Sequence, residues 1–72
     1  MLRYRGYSIR TFEEEPGRWF AEMRRLDGKR IKAVGGDNIF DKLTTSHATV
    51  TEGAAITEAK ACIDGGAMRV VD

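Results

Sequence analysis

A chain of 72 residues with one cysteine, one histidine and a formal net charge of +1 has room for a single domain and for no internal disulfide. Cys62 and His47 cannot by themselves close a tetrahedral metal site, so no metal or other cofactor is expected. No apolar run approaches the ~18–20 residues of a membrane span. Arg3, Arg5 and Arg10 interrupt the stretch where an export signal would carry its apolar core, and with an unpaired cysteine the expectation is a cytoplasmic protein away from membranes.

So short a chain buries only about 60% of the surface it exposes when unfolded, and such a core seldom supplies more than ~3–5 kcal/mol. With disulfide and metal set aside, association remains as a source of stability, so a homo-oligomer or a protein partner is expected. Charge is segregated along the chain. Residues 1–34 hold nine Lys and Arg against five Asp and Glu, a balance of +4, and residues 35–72 hold three against six, a balance of −3. Solvated faces that happen to segregate account for such a split, and so does self-contact or an anionic partner on the basic half.

In chain order, residues 3–12 (RYRGYSIRTF) are rich in aromatic and β-branched types, with Tyr7, Ile9 and Thr11 on one side at period two. They read as a first strand. Glu13 to Gly17 is a turn, since Pro16 fixes φ and Gly17 tolerates positive φ. A second strand runs from Arg18 to Leu26. Asp27-Gly28 is a strong hairpin signal, and a third strand returns over residues 30–34. Side chains set the expected register. A three-residue loop, Asp27-Gly28-Lys29, pairs Met23 with Ala33 and gathers Trp19, Ala21, Met23, Ile31 and Ala33 on one face. A two-residue loop would instead set Arg25 against Arg30, and like charges facing each other are unfavourable.

Gly35 to Asn38 breaks the chain, and Ile39 to Leu43 suits either a bridging strand or an ordered loop. A helix is expected over about residues 50–64, opened by a capping box in which Thr49 and Glu52 reach each other's backbone amides. Ala55, Ile56, Ala59, Cys62 and Ile63 form its apolar stripe, and Gly65 supplies the left-handed residue after it. Residues 67–72, with Met68, Val70 and Val71, are apolar enough for a short terminal strand or for a cover on a neighbouring chain. The expected fold is α+β: a three-stranded antiparallel meander with one C-terminal helix packed on one face, the alanine stripe roofing the Trp19 side.

Catalytic chemistry is sparse. His47 sits in a polar loop, and adjacency to Ser46 in sequence does not build a dyad. Cys62 lies on the apolar stripe, where it behaves as a small hydrophobe. Gly35-Gly36 and Gly65-Gly66 lack the Lys-Ser/Thr that follows a phosphate loop. No enzyme activity is expected. Two surface readings remain. Phe12, Phe20, Leu26, Val34, Met68, Val70 and Val71 are candidates for a protein-interaction surface. Arg10, Arg24, Arg30 and Lys32, on the outer face of the sheet, are the alternative, a nucleic-acid contact; against it, the isoelectric point near 7.9 is lower than usual for such domains.

The strand Gly17, Trp19, Phe20, Ala21 and the later Thr-x-x-Glu cap with alanines and Ile63 behind it resemble the partial HicB-type antitoxin domains and other β-β-β-α domains related to the double-stranded-RNA-binding fold. The resemblance spans roughly residues 5–64 and implies that fold. It assigns no toxin-contacting or DNA-contacting residue, because the Pro-Gly-Cys-like segment usual after the second strand is missing.

Overall fold

The computed structural model describes residues 1–71, and Asp72, at the end of the expected tail, lies outside them. The described residues form seven strands and one helix, in the order β1 (Leu2–Tyr4), β2 (Tyr7–Glu15), β3 (Arg18–Arg25), β4 (Arg30–Ala33), β5 (Ile39–Phe40), β6 (Leu43–Thr44), α1 (Glu52–Asp64) and β7 (Met68–Val71). The fold is α+β with all strands antiparallel, but the strands divide between two sheets rather than one meander. Sheet A has the order β1-β2-β3-β6, and sheet B the order β5-β4-β7. Among the described residues no helix is long and apolar enough to cross a membrane.

Local chemistry explains the first three strands. The expected single strand over residues 3–12 is broken at Arg5-Gly6, both at positive φ (48° and 84°), the type I′ pattern that joins tightly twisted hairpin strands. The φ of Gly6 favours glycine, and a Cβ there would lie 2.8 Å from Arg25 Nη1, so any side chain would displace the end of that guanidinium. The second strand also extends further than expected, through the acidic run to Glu15, with a register shift between Glu13 and Glu15. Only Pro16-Gly17 turns the chain, and Glu13 Oε2 accepts the Gly17 N–H at 3.0 Å.

The largest departure is at Asp27-Gly28. No hairpin joins β3 to β4, and Met23 does not pair with Ala33. Met23 pairs with Leu43 of β6 and Ala33 with Met68 of β7. The free edge of β3 is filled from elsewhere: the Thr45 N–H donates to Ala21 O (2.9 Å), the Ala21 N–H donates to Thr45 Oγ1 (3.0 Å), and Trp19 bridges Thr49. Asp27 is also diverted. Its carboxylate accepts from Arg25 (2.7 Å) and from the Lys29 N–H (3.0 Å), an Asx-type turn that leads the chain away into sheet B.

These contacts hold the Asp27 carboxyl low, at about 2 against an ordinary 3.8, chiefly through the Arg25 hydrogen bond and then the Lys29 N–H; Arg25, over the Tyr7 ring at 4.9 Å, is correspondingly raised by Asp27. Because the folded value is depressed, the turn's contribution is complete above pH ~4 and fades as pH falls towards ~2. An NMR titration of the Asp27 side-chain carbon should therefore give a midpoint well below the ordinary carboxylate value. A midpoint near 3.8 would mean that the Arg25 pair does not persist in solution.

The helix begins two residues later than expected. Thr51, not Thr49, is the N-cap, and its Oγ1 accepts the Ala54 N–H at 3.1 Å. Thr49 is committed to β3 and to Thr51 O, and Glu52 accepts from Thr11 Oγ1 (2.7 Å) instead of closing a capping box. At the other end Gly65 is ordinary helical backbone (φ −79°), and Gly66 (φ 72°) is the left-handed residue. The Gly66 N–H donates to Ile63 O and the Ala67 N–H to Cys62 O, which is a Schellman ending. That turn aims the following residues at β4, and the expected tail becomes β7.

The core lies between sheet A, the helix and one face of sheet B. Tyr7, Ile9, Ala21, Met23, Ile31, Ala55 and Ala59 are buried together, with Trp19, Ile56, Cys62, Ile63 and Met68 packed against them. The alanine stripe does face the Trp19 side of β3. Both helix ends are tied to sheet A, Glu52 to Thr11 and Asp64 to Tyr4 (2.6 Å) and Arg5 (3.1 Å). Arg5, strained at positive φ, thus gains a carboxylate partner.

Candidate functional site

The expected surface residues do not form one patch. Phe12, Phe20, Arg10 and Arg24 belong to the outer face of sheet A. Arg30, Lys32, Met68, Val70 and Val71 belong to sheet B, and Val34 follows β4 directly. Leu26, exposed just past β3, donates its N–H to Gly6 O. Met68 is half-buried against the core. The separation follows from the absent β3–β4 hairpin, which would have put all the cations on one sheet.

On sheet A the β2–β3 register places Phe12 opposite Phe20, and the rings stack with centroids 5.7 Å apart and planes 19° from parallel. Such a cross-strand pair contributes ~0.5–1.5 kcal/mol beyond its buried area, which accounts for its presence in the strands. It does not account for the exposure, since Phe12 keeps 38% of its surface in solvent. The charges around the pair largely satisfy one another. Glu22 binds both Lys42 (3.3 Å) and Arg24 (3.6 Å), and Arg18 lies 3.8 Å from Glu15 while its guanidinium sits over the Phe20 ring. This is an apolar centre with a polar rim of both signs, the layout of a protein contact. A phosphate reader wants uncompensated cations.

On sheet B the balance is the opposite. Lys32 lies directly opposite Arg69 in the β4–β7 register, and Arg30 shares their face. Facing like charges cost ~0.2–1 kcal/mol. Arg69 was not singled out from the sequence, because its pairing with Lys32 depends on a long-range strand match. Alternation along β4 could show only that Arg30 and Lys32 share a face.

The loop histidine does find its neighbour. Ser46 Oγ lies 3.0 Å from His47 Nδ1, and Glu58 lies 4.0 Å from the same nitrogen. A serine–histidine–carboxylate relay uses the two ring nitrogens separately, one towards the hydroxyl and one towards the acid. Here both approach Nδ1, the ring is 79% exposed, and the arrangement cannot pass a proton along that line. Cys62 is half-buried beside Met23, Leu43 and Met68 in a small cleft between the two sheets. Among the described residues no three His, Cys, Asp or Glu side chains converge as a metal-holding group. No family model, curated protein or solved structure matches this chain.

Proposed function

We propose that this chain is a non-enzymatic interaction module that docks on protein, a second copy of itself in the first instance, through the outer face of sheet A. The observation that carries this reading is the solvent-facing Phe12–Phe20 stack inside a rim of mutually compensated charge. A face bearing both signs is self-complementary under a two-fold axis, and central aromatic residues are where binding energy concentrates. The small core supports the same reading, because a partner would add the buried area that a 72-residue chain lacks.

Sedimentation equilibrium of the native chain and of the Phe12→Thr, Phe20→Thr pair tests it. Threonine keeps β propensity, so circular dichroism should show the fold retained. The double variant should associate at least ~30-fold more weakly, the effect of losing a hot spot of ~2 kcal/mol or more. A native chain that stays monomeric at high micromolar concentration, and that captures no protein the variant fails to capture, removes the proposal.

The nucleic-acid alternative has less behind it. Its four candidate cations are divided between two sheets, and Arg24 already holds a carboxylate.

A further inference from the structure

Sheet B carries a separate feature, independent of docking on sheet A. Three cations, Arg30, Lys32 and Arg69, share one of its faces, and none of them has an ion-pair partner among the described residues. On β3, by contrast, Arg18, Arg24 and Arg25 each hold a carboxylate. Lys32 has Arg69 on one side and Ile39 on the other, so neither directly opposite strand neighbour can neutralise it. Repulsion across a strand pair is destabilising, and a fold that keeps it with no ion pair to either cation among the described residues leaves room for an added counter-charge.

That place has a shape. A cavity of about 240 Å3 opens between Lys32, Arg69 and the turn at Gly35-Gly36, with Asp37 as its one lining carboxylate. Gly35 (φ 86°) would carry a side chain into open space, and its lack of one leaves the backbone of the turn open to close approach. The volume holds several waters at ~30 Å3 each, yet falls below the ~300–1,000 Å3 of sites that enclose whole drug-sized ligands. It suits a single anionic group.

We propose that this cavity binds the phosphate group of a small molecule. Lys32 supplies a mobile point charge, and Arg69 supplies the planar fork that grips two oxygens at once. The site differs from a phosphate loop in origin. Gly35-Gly36 has no Lys-Ser/Thr after it, and the cations come instead from β4 and from β7, 37 positions apart at the paired residues Lys32 and Arg69. A polyanion fits less well, because the apolar Ile39 and Val71 flank the same cations in the strand register and leave no extended basic track.

The test is an NMR titration of the isotope-labelled chain with inorganic phosphate, against chloride at matched ionic strength. Shifts should be confined to residues 32–37 and 67–69 and should saturate with a dissociation constant on the order of 1 mM. Lys32→Gln and Arg69→Gln should each weaken binding about tenfold, the loss expected of one charge-assisted contact, and Asp37→Asn should strengthen it. Thermal melts guard against misfolding: without phosphate each cation variant should melt at or above the native temperature, because repulsion is relieved, and added phosphate should raise the midpoint of the native chain and of Asp37→Asn more than that of either cation variant. A single-stranded RNA serves as the second probe. No shift at roughly 50 mM phosphate, far above a millimolar constant, overturns the proposal. So do shifts insensitive to the three variants, or binding of the RNA without binding of phosphate.

Discussion

Replacing Ile31 by alanine should abolish cooperative folding. Ile31 is fully buried, on a strand that shares no hydrogen-bonded ladder with sheet A. With Met23 it is one of the two largest fully buried side chains, and it holds sheet B to the common core. Removing three carbons from such a site costs ~2–5 kcal/mol, as much as a core of this size supplies. Thermal unfolding followed by Trp19 fluorescence should lose its sigmoid transition. Ile31→Val, at ~0.5–1.5 kcal/mol, should keep the transition but lower its midpoint by roughly 2–12 °C, given ~4–8 °C per kcal/mol for a domain of this length. An alanine variant melting within a few degrees of the native chain would show that sheet B is not pinned through this residue.

Ala59→Leu should destabilise by ~1–3 kcal/mol or more, for the opposite reason. Ala59 and Ala55 are completely buried between the helix and sheet A, in one cluster with Ala21 and Met23. Their small size lets the helix lie close to the strands, and a leucine there forces either strained rotamers or a displaced helix. The midpoint should fall by roughly 4–24 °C on the same scale. Ala61→Leu is the control: the same helix, two residues on, exposed, with nearly the same helix propensity, and a change expected within about 0.5 kcal/mol. Equal effects at 59 and 61 would contradict the close helix–sheet packing.

Several features were legible in the residues. The apolar stripe Ala55, Ile56, Ala59, Cys62, Ile63 has helical spacing, and all five meet the core. Alternation along Trp19, Ala21 and Met23 gave the inward face of β3. The Arg5-Gly6 turn could have been read as well, since a lone glycine inside a strand pattern is a break signal; the aromatic and β-branched residues around it masked it.

The helix ends at Asp64 as expected, but its start and both caps differ from the expectation, because two threonines, Thr49 and Thr51, and two glycines, Gly65 and Gly66, compete within reach of the termini. Contacts outside the helix choose between them. Thr49 is taken by Trp19, which leaves the cap to Thr51. Glu52 is drawn off by Thr11, 41 positions away. The proposed docking surface was half legible, since period two puts Phe12 and Phe20 on the outer face, while the compensation of its rim by Glu22 required the β3–β6 neighbourhood of Lys42.

What this sequence determines by itself is that the stretches before and after Pro16-Gly17 and the one after Asp27-Gly28 extend, that one later segment coils, and which side of each is apolar, because φ preferences, capping groups and side-chain periodicity act within a few residues; whether residues 39–43 and 67–72 extend it leaves open. Which strand fills which edge was decided only in the tertiary structure. Every extended segment presents the same backbone donors and acceptors, so the edge of β3 accepts Leu43 and Thr44 as readily as it would the strand after Asp27-Gly28. The choice falls to the arrangement that also buries Ile31, packs Met68 against the core, and leaves Thr45 and the Ala21 amide satisfied inside. That choice sends Lys32 to Arg69, separates the basic residues from the aromatic pair, and so sets the two surfaces on which the proposals rest.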